Sequence, residues 1–155
     1  YMEWGKLEHI LTGADNNFVD DSAPDKLLET MGSLKSIYLK DAVWVMSRPA
    51  FIKIQQQRDG EGKFIINPGH IHERRPLLFG YPVEIVEDMP GFVPGTACAV
   101  AFGNFKEAYQ IVEHEGTHIL RDPYSSKPFV EFYTTRRVGG DVINFDAIKI
   151  LKFQA

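Results

Sequence analysis

The stretch IVEHEGTHIL, Ile111 to Leu120, poses the choice between helix and strand on which the fold turns. Within it, His114-Glu115-Gly116-Thr117-His118 spells H-E-x-x-H. That pattern holds zinc when both imidazoles lie one helical turn apart on one face, with the glutamate beside them as general base. It has that meaning only on a helix. Glycine in a helix interior costs about 1 kcal/mol relative to alanine, and the β-branched Thr117 loses rotamer freedom there. On either side, Tyr109-Gln110-Ile111-Val112 and Thr117-His118-Ile119-Leu120 are β-prone runs, and Glu113 to Gly116 is a polar turn ending in glycine. The spacing therefore predicts a hairpin, with His114 at the turn and His118 on the return strand, and the shared helical face disappears. No histidine follows His118, and the downstream carboxylates Asp122, Glu131 and Asp141 lie among prolines and a β-rich run. A third ligand is not supplied. A zinc-dependent hydrolase built on His114, Glu115 and His118 stands only as the alternative reading.

Outward from that stretch the elements alternate in type. Ala97 to Phe102 is an apolar run of buried character, and Val83-Glu84-Ile85-Val86, punctuated by Gly80-Tyr81-Pro82, is a strand. Lys63-Phe64-Ile65-Ile66 is extended after the turn Asp59 to Gly62, and a loop follows through Pro68, Gly69 and Pro76. Ala42 to Met46 is a compact β-type run, and Arg48 to Gln57 a short helix opened by Pro49. Leu27, Met31, Leu34 and Tyr38 step by four, three and four, which places them on one buried face of a helix. Ser22 is its expected N-cap, with Pro24 and Asp25 in the first turn. Trp4 to Leu11 reads as the end of another helix, with Leu7, Ile10 and Leu11 on one face and Gly13 as its stop. Such a start is expected of a segment of something longer. The class is mixed α+β.

Composition narrows the chemistry. A chain of 155 residues that is 44% hydrophobic and 25% charged has ordinary globular composition. With 17 basic against 21 acidic residues, the net charge of -4 gives no broad positive surface for a nucleic acid backbone. The lone Cys98 sits in an apolar run, expected as a buried core thiol, and offers neither an internal disulfide nor a cysteine zinc site. No apolar stretch reaches membrane-spanning length. His70-Ile71-His72 can place two imidazoles on one strand face, but Pro68, Gly69, Glu73 and Arg74 around it favour a solvated loop. Arg74-Arg75 and Arg136-Arg137 are candidate contacts for a partner. No nucleophile elbow, phosphate-binding glycine loop or dinucleotide fingerprint is present, so neither a catalytic residue nor a cofactor or metal site is expected.

Taken in order, several segments resemble the HK97-type major capsid proteins of tailed bacteriophages. They are Trp44-Val45-Met46-Ser47, Asp59 to Phe64, Leu77 to Val83 followed by Asp88-Met89-Pro90, Ala101 to Tyr109, Arg121-Asp122-Pro123-Tyr124, Arg136 to Asp141, and Asp146 to Leu151. The resemblance covers essentially the whole chain. It implies a structural, non-enzymatic subunit of a phage or prophage icosahedral shell, assembling with copies of itself into pentamers and hexamers when full length. Scaffold or cement proteins are implied as further partners, packaged DNA only as a non-specific one, and no membrane. The implied location is the virion capsid, assembled in the cytoplasm of a bacterial host.

The resemblance also implies a domain plan. Residues 1–12 would be the end of the spine helix, 13–120 with 144–155 an axial domain, and 121–143 the return strands of a peripheral domain. The N-terminal arm, the E-loop and most of the spine helix would precede this point. One member of that family crosslinks a lysine to an asparagine with help from a glutamate. The latter two positions fall near Pro128 and Thr135 here, so that chemistry is not carried over.

Overall fold

The computed structural model describes residues 6–13, 23–57, 71–72, 75–91 and 97–153. The chain divides into two compact units, one of residues 1–108 with 144–155 and one of residues 109–143.

The first unit is built on a mixed sheet of seven strands: β1 (Glu8–Leu11), β2 (Val43–Met46), β3 (Ile71–His72), β4 (Arg75–Leu78), β5 (Tyr81–Ile85), β6 (Ala97–Gly103) and, from the C-terminus, β9 (Ile148–Phe153). Their spatial order is β1-β9-β6-β2-β5-β4-β3. Trp44 pairs with both Phe102 of β6 and Val83 of β5, and Phe102 pairs in turn with Lys149 of β9. Partners across a sheet share a face, so these residues form one row. The indole of Trp44 lies 4.2 Å from the Phe102 ring, Tyr81 meets the same ring edge-on at 5.2 Å, and Trp44 Nε1 donates to the Leu78 carbonyl at 3.2 Å. Tryptophan is fully buried here because its one polar atom has a partner. The turn between β4 and β5 is Phe79-Gly80, both with positive φ, the backbone twist that two-residue hairpins favour.

Helices complete the core. Helix α1 (Ala23–Ser33) ends before Lys35, whose extended backbone separates it from the short α2 (Ser36–Leu39). The apolar spacing from Leu27 to Tyr38 thus spans two helices rather than one. The core still collects it: Leu27 and Leu34 are buried with Trp44, Met46, Val100 and Phe102, while Met31 and Tyr38 pack at the edge. Helix α3 (Arg48–Gln55), entered through Ser47 with Pro49 in its first turn, adds Ala50, Phe51 and Ile54. A smaller cluster joins Ala108, Ala147 and Ile148 with Leu7, Phe105 and Ile150 beneath helix α4 (Phe105–Ala108).

Two expectations are corrected. Residues 8–11 are a strand, not the end of a helix: β1 runs parallel to β9, Glu8 beside Lys149 and Leu11 beside Lys152. The spacing of Leu7, Ile10 and Leu11 suits a helix, but burial alternates with a period of two, His9 and Leu11 outward and Thr12 inward, and the edge of β9 offers backbone partners. Cys98 is half-buried rather than a core residue, because the pairing with β9 is interrupted between Cys98 and Val100. Ser22 and the Lys63 to Ile66 run lie outside the described residues.

Candidate functional site

The second unit is a two-stranded ribbon of β7 (Tyr109–Asp122) and β8 (Glu131–Val142). The opening stretch is therefore extended, as expected, but it does not turn back on itself. His114 pairs with Arg137, and the next pair is Thr117 with Arg136, so Glu115 and Gly116 stand unpaired between them. Both take left-handed backbone, φ 57° and 70°. They form a β-bulge within one long strand. The predicted hairpin turn at Glu113 to Gly116 is thus corrected; the actual reversal lies at residues 123–130. There Asp122 accepts hydrogen bonds from the Tyr124 and Ser125 amides at 2.9 and 3.2 Å. The Ser125 hydroxyl and these amides hold the Asp122 carboxyl below the usual carboxylate range.

Alternation assigns the ribbon's faces. Ile111, Glu113, Thr117 and Ile119 share one face with Phe132, Thr134, Arg136 and Val138; Val112, His114, His118 and Leu120 share the other with Tyr133, Thr135 and Arg137. The first face carries apolar side chains toward both ends of the ribbon, interrupted in its middle by Glu113, Thr117 and Arg136, with Arg136 Nε lying 2.6 Å from a Glu113 carboxylate oxygen. Ile111 is 70% exposed, Ile119 67% and Phe132 65%; on the second face Tyr133 is 67% exposed. Tyr109 lies over Gly140, where an added Cβ would come within 2.6 Å of its hydroxyl, so the ring covers the stretch of strand that glycine leaves bare.

The H-E-x-x-H residues sit on the second face. His114 Nε2 is 3.6 Å from Glu115 Oε1, and His118 Nε2 is 3.5 Å from Glu115 Oε2. Thr135, Arg136 and Arg137 line the same shallow recess. The glutamate stands between the rings instead of beside a helical pair, and among the described residues no three donors converge on one point. Of the candidate arginines, Arg136 and Arg137 lie on opposite faces of the ribbon. Arg75 opens β4, its side chain outside the described set, as is Arg74. His70 also lies outside it, while Ile71 and His72 form the short strand β3 rather than a loop. The apolar face itself is a feature that reading the stretch as a hairpin hides. Its signal is the alternation Phe132-x-Thr134-x-Arg136-x-Val138 taken together with Ile111 and Ile119.

Comparison with known proteins places this geometry. A model of the phage capsid family matches residues 3–153. The chain is similar to a solved structure described as the capsid of an empty GTA particle computed with C5 symmetry, at 39% identity and a TM-score of 0.82, over 99% of this chain and 52% of that one. The capsid of the native GTA particle gives the same identity and score over 56% of its chain. A structure from Gordonia phage Cozz, 14% identical with a TM-score of 0.56 over 98% of this chain and 51% of that one, shares the fold. No curated protein matches. The chain spans about half the length of these capsid chains.

Proposed function

The chain belongs to the phage capsid family, and from that premise we propose that it serves as a structural subunit of a phage or prophage icosahedral shell, binding copies of itself rather than catalysing a reaction. The observation that carries this is the exposed apolar side chains of the ribbon, Ile111 with Val138 toward one end and Ile119 with Phe132 toward the other, all on one face at 56% exposure or more. A lone two-stranded ribbon is marginally stable in water and needs further strands or a packed surface. Clustered large apolar side chains exposed at this level mark an interaction site. A shell repeats each modest contact under symmetry, so no single interface has to be strong.

In this reading the seven-stranded unit corresponds to the axial domain and the ribbon to the return strands of the peripheral domain. Of Arg136 and Arg137, Arg137 has no ion-pair partner among the described residues and is free to meet a neighbour's carboxylate. Arg136 is engaged by Glu113. Assembly takes place in the host cytoplasm and the finished location is the virion. Mass spectrometry of purified particles from an induced culture tests the proposal. Peptides of this chain are expected in the shell fraction in amounts comparable to the most abundant particle protein, and their absence from particles would refute it. The hydrolase alternative has no supporting observation: the helical face that its chemistry needs is replaced by a bulged strand.

A further inference from the structure

The bulge does something to the H-E-x-x-H stretch that a regular strand would not. His114 and His118 are four positions apart along β7, yet their partners Arg137 and Thr135 are only two positions apart on β8. Glu115 and Gly116 are looped out with left-handed backbone, φ 57° and 70°, and the two histidines become next neighbours on one face. Two rungs of a strand at about 3.4 Å per residue bring their Cβ atoms to roughly 6.8 Å, within reach of a shared ion for two imidazoles. The looped-out glutamate then lies between the rings, 3.6 Å from His114 Nε2 and 3.5 Å from His118 Nε2.

We propose that His114 and His118 form a two-imidazole chelate for a late divalent transition metal such as nickel or zinc, with the Glu115 carboxylate offsetting its charge. The rings face different oxygens of Glu115, so closure requires one ring to turn. Both side chains are more than 60% exposed and free to do so. Imidazole selects nickel, copper and zinc over magnesium and calcium, which prefer oxygen. Two protein nitrogens leave coordination positions open to water or to a donor from another molecule. The charged groups on the face of the rings are Glu115 and Arg137, which lies across from His114; Arg136 pairs with Glu113 on the opposite face. Arg137 opposes a cation and limits affinity. The site is a binding site and carries no hydrolytic step.

The test uses the chain without a histidine tag, titrated with nickel chloride and zinc chloride by calorimetry, with imidazole proton shifts followed by NMR. One ion per chain is expected, with the shifts confined to two histidines. Binding should weaken at least tenfold on His118→Gln or His114→Gln, and severalfold on Glu115→Gln. It should tighten on Arg137→Gln, which removes the cation across from His114. Unchanged circular dichroism of each variant shows that the ribbon persists. No binding up to about 1 mM metal, well beyond the range of a specific imidazole chelate, would overturn the proposal. So would binding untouched by His118→Gln, binding lost instead in His70→Gln/His72→Gln, or magnesium bound as well as nickel.

Discussion

Gly103→Ala is a change of one methyl group whose effect follows from backbone geometry alone. Gly103 ends β6 opposite Ile148, where β9 leaves the 3-10 turn Phe145–Ala147. A Cβ at this position would stand 2.1 Å from the Ala147 carbonyl oxygen, 2.7 Å from Ile148 Cα and 3.0 Å from the Ala147 carbonyl carbon. All three atoms are backbone, so no side chain can swing aside. Restoring an ordinary contact near 3.4 Å requires the strands to part by roughly 1 Å. The Ala147 oxygen also accepts from the Asn104 amide at 2.9 Å, and Asn104 Oδ1 in turn accepts from the Glu107 amide at the start of α4. Overpacking of this kind costs about 1 to 3 kcal/mol, and a weakened buried hydrogen bond adds about 0.5 to 1.5 kcal/mol. The expected loss is therefore about 2 to 4 kcal/mol, or roughly 4 to 16 °C in melting temperature for a chain of this size. Thermal and urea unfolding followed by circular dichroism measure it. Gly32→Ala is the matched control: it lies in α1 with nothing within 4 Å of its Cβ position, and the same methyl group should stabilise by about 0.5 to 1 kcal/mol. If Gly103→Ala unfolded within about 0.5 kcal/mol of the parent, the size of a neutral surface change, the close approach of β6 to the Ala147 carbonyl would be refuted.

Other outcomes follow from the same structure. Leu34→Ala, at a position 4% exposed in the main core, should cost about 2 to 5 kcal/mol as a cavity mutation, read by urea unfolding; an unchanged midpoint would remove Leu34 from the core. Lys149, whose side chain is 3% exposed, is paired with the partly exposed Glu8, so Glu8→Ala should destabilise by about 1 to 3 kcal/mol and more than Lys149→Met, because only the first leaves a buried charge without its partner. Equal costs would show that water reaches the ammonium. Lys35 holds the Asp146 carboxyl below the usual carboxylate range through their hydrogen bond, with a further contribution from Lys149. A depressed carboxylate stabilises the fold above its unfolded pKa and loses that contribution as pH falls through the folded value. Stability should therefore drop below about pH 4 in the parent and drop less steeply in Asp146→Asn, and identical acid profiles would rule the pair out as a contributor.

The central sheet was legible because its strands carry their own signals. Val43 to Met46 and Ala97 to Gly103 are apolar runs flanked by turn residues, and strands buried in mid-sheet read that way wherever they sit in the order. Short edge strands carry no such mark. Glu8 to Leu11 is four residues whose apolar positions fit either period, and it becomes a strand only because the edge of β9 lies beside it. Neither the parallel pairing nor the buried Lys149 that accompanies it follows from local spacing, since both depend on residues about 140 positions apart in the chain.

The ribbon shows where local chemistry stops being decisive. A hairpin turn and a β-bulge both require residues with positive φ, and Glu115-Gly116 satisfies either. What separates them is the partner. If the chain reversed at residue 116, Ile111 and Val112 would pair with residues near 119 and 120, and a later segment rich in Phe132, Tyr133 and Val138 would be left unpaired. With a bulge, both β-prone runs keep the same partner strand, and the ladder extends from Tyr109 opposite Val142 to Asp122 opposite Glu131. The bulge thus satisfies more backbone groups than the turn, a gain that exceeds the roughly 1 kcal/mol cost of left-handed backbone at Glu115. It also keeps Ile111 and Ile119 on one face despite the two inserted residues, so the apolar groups at both ends of the ribbon face the same way. A reversal at 116 would have placed the histidines on separate strands. The same two residues therefore decide both the facing of the surface that a neighbour would cover and the proximity of His114 to His118.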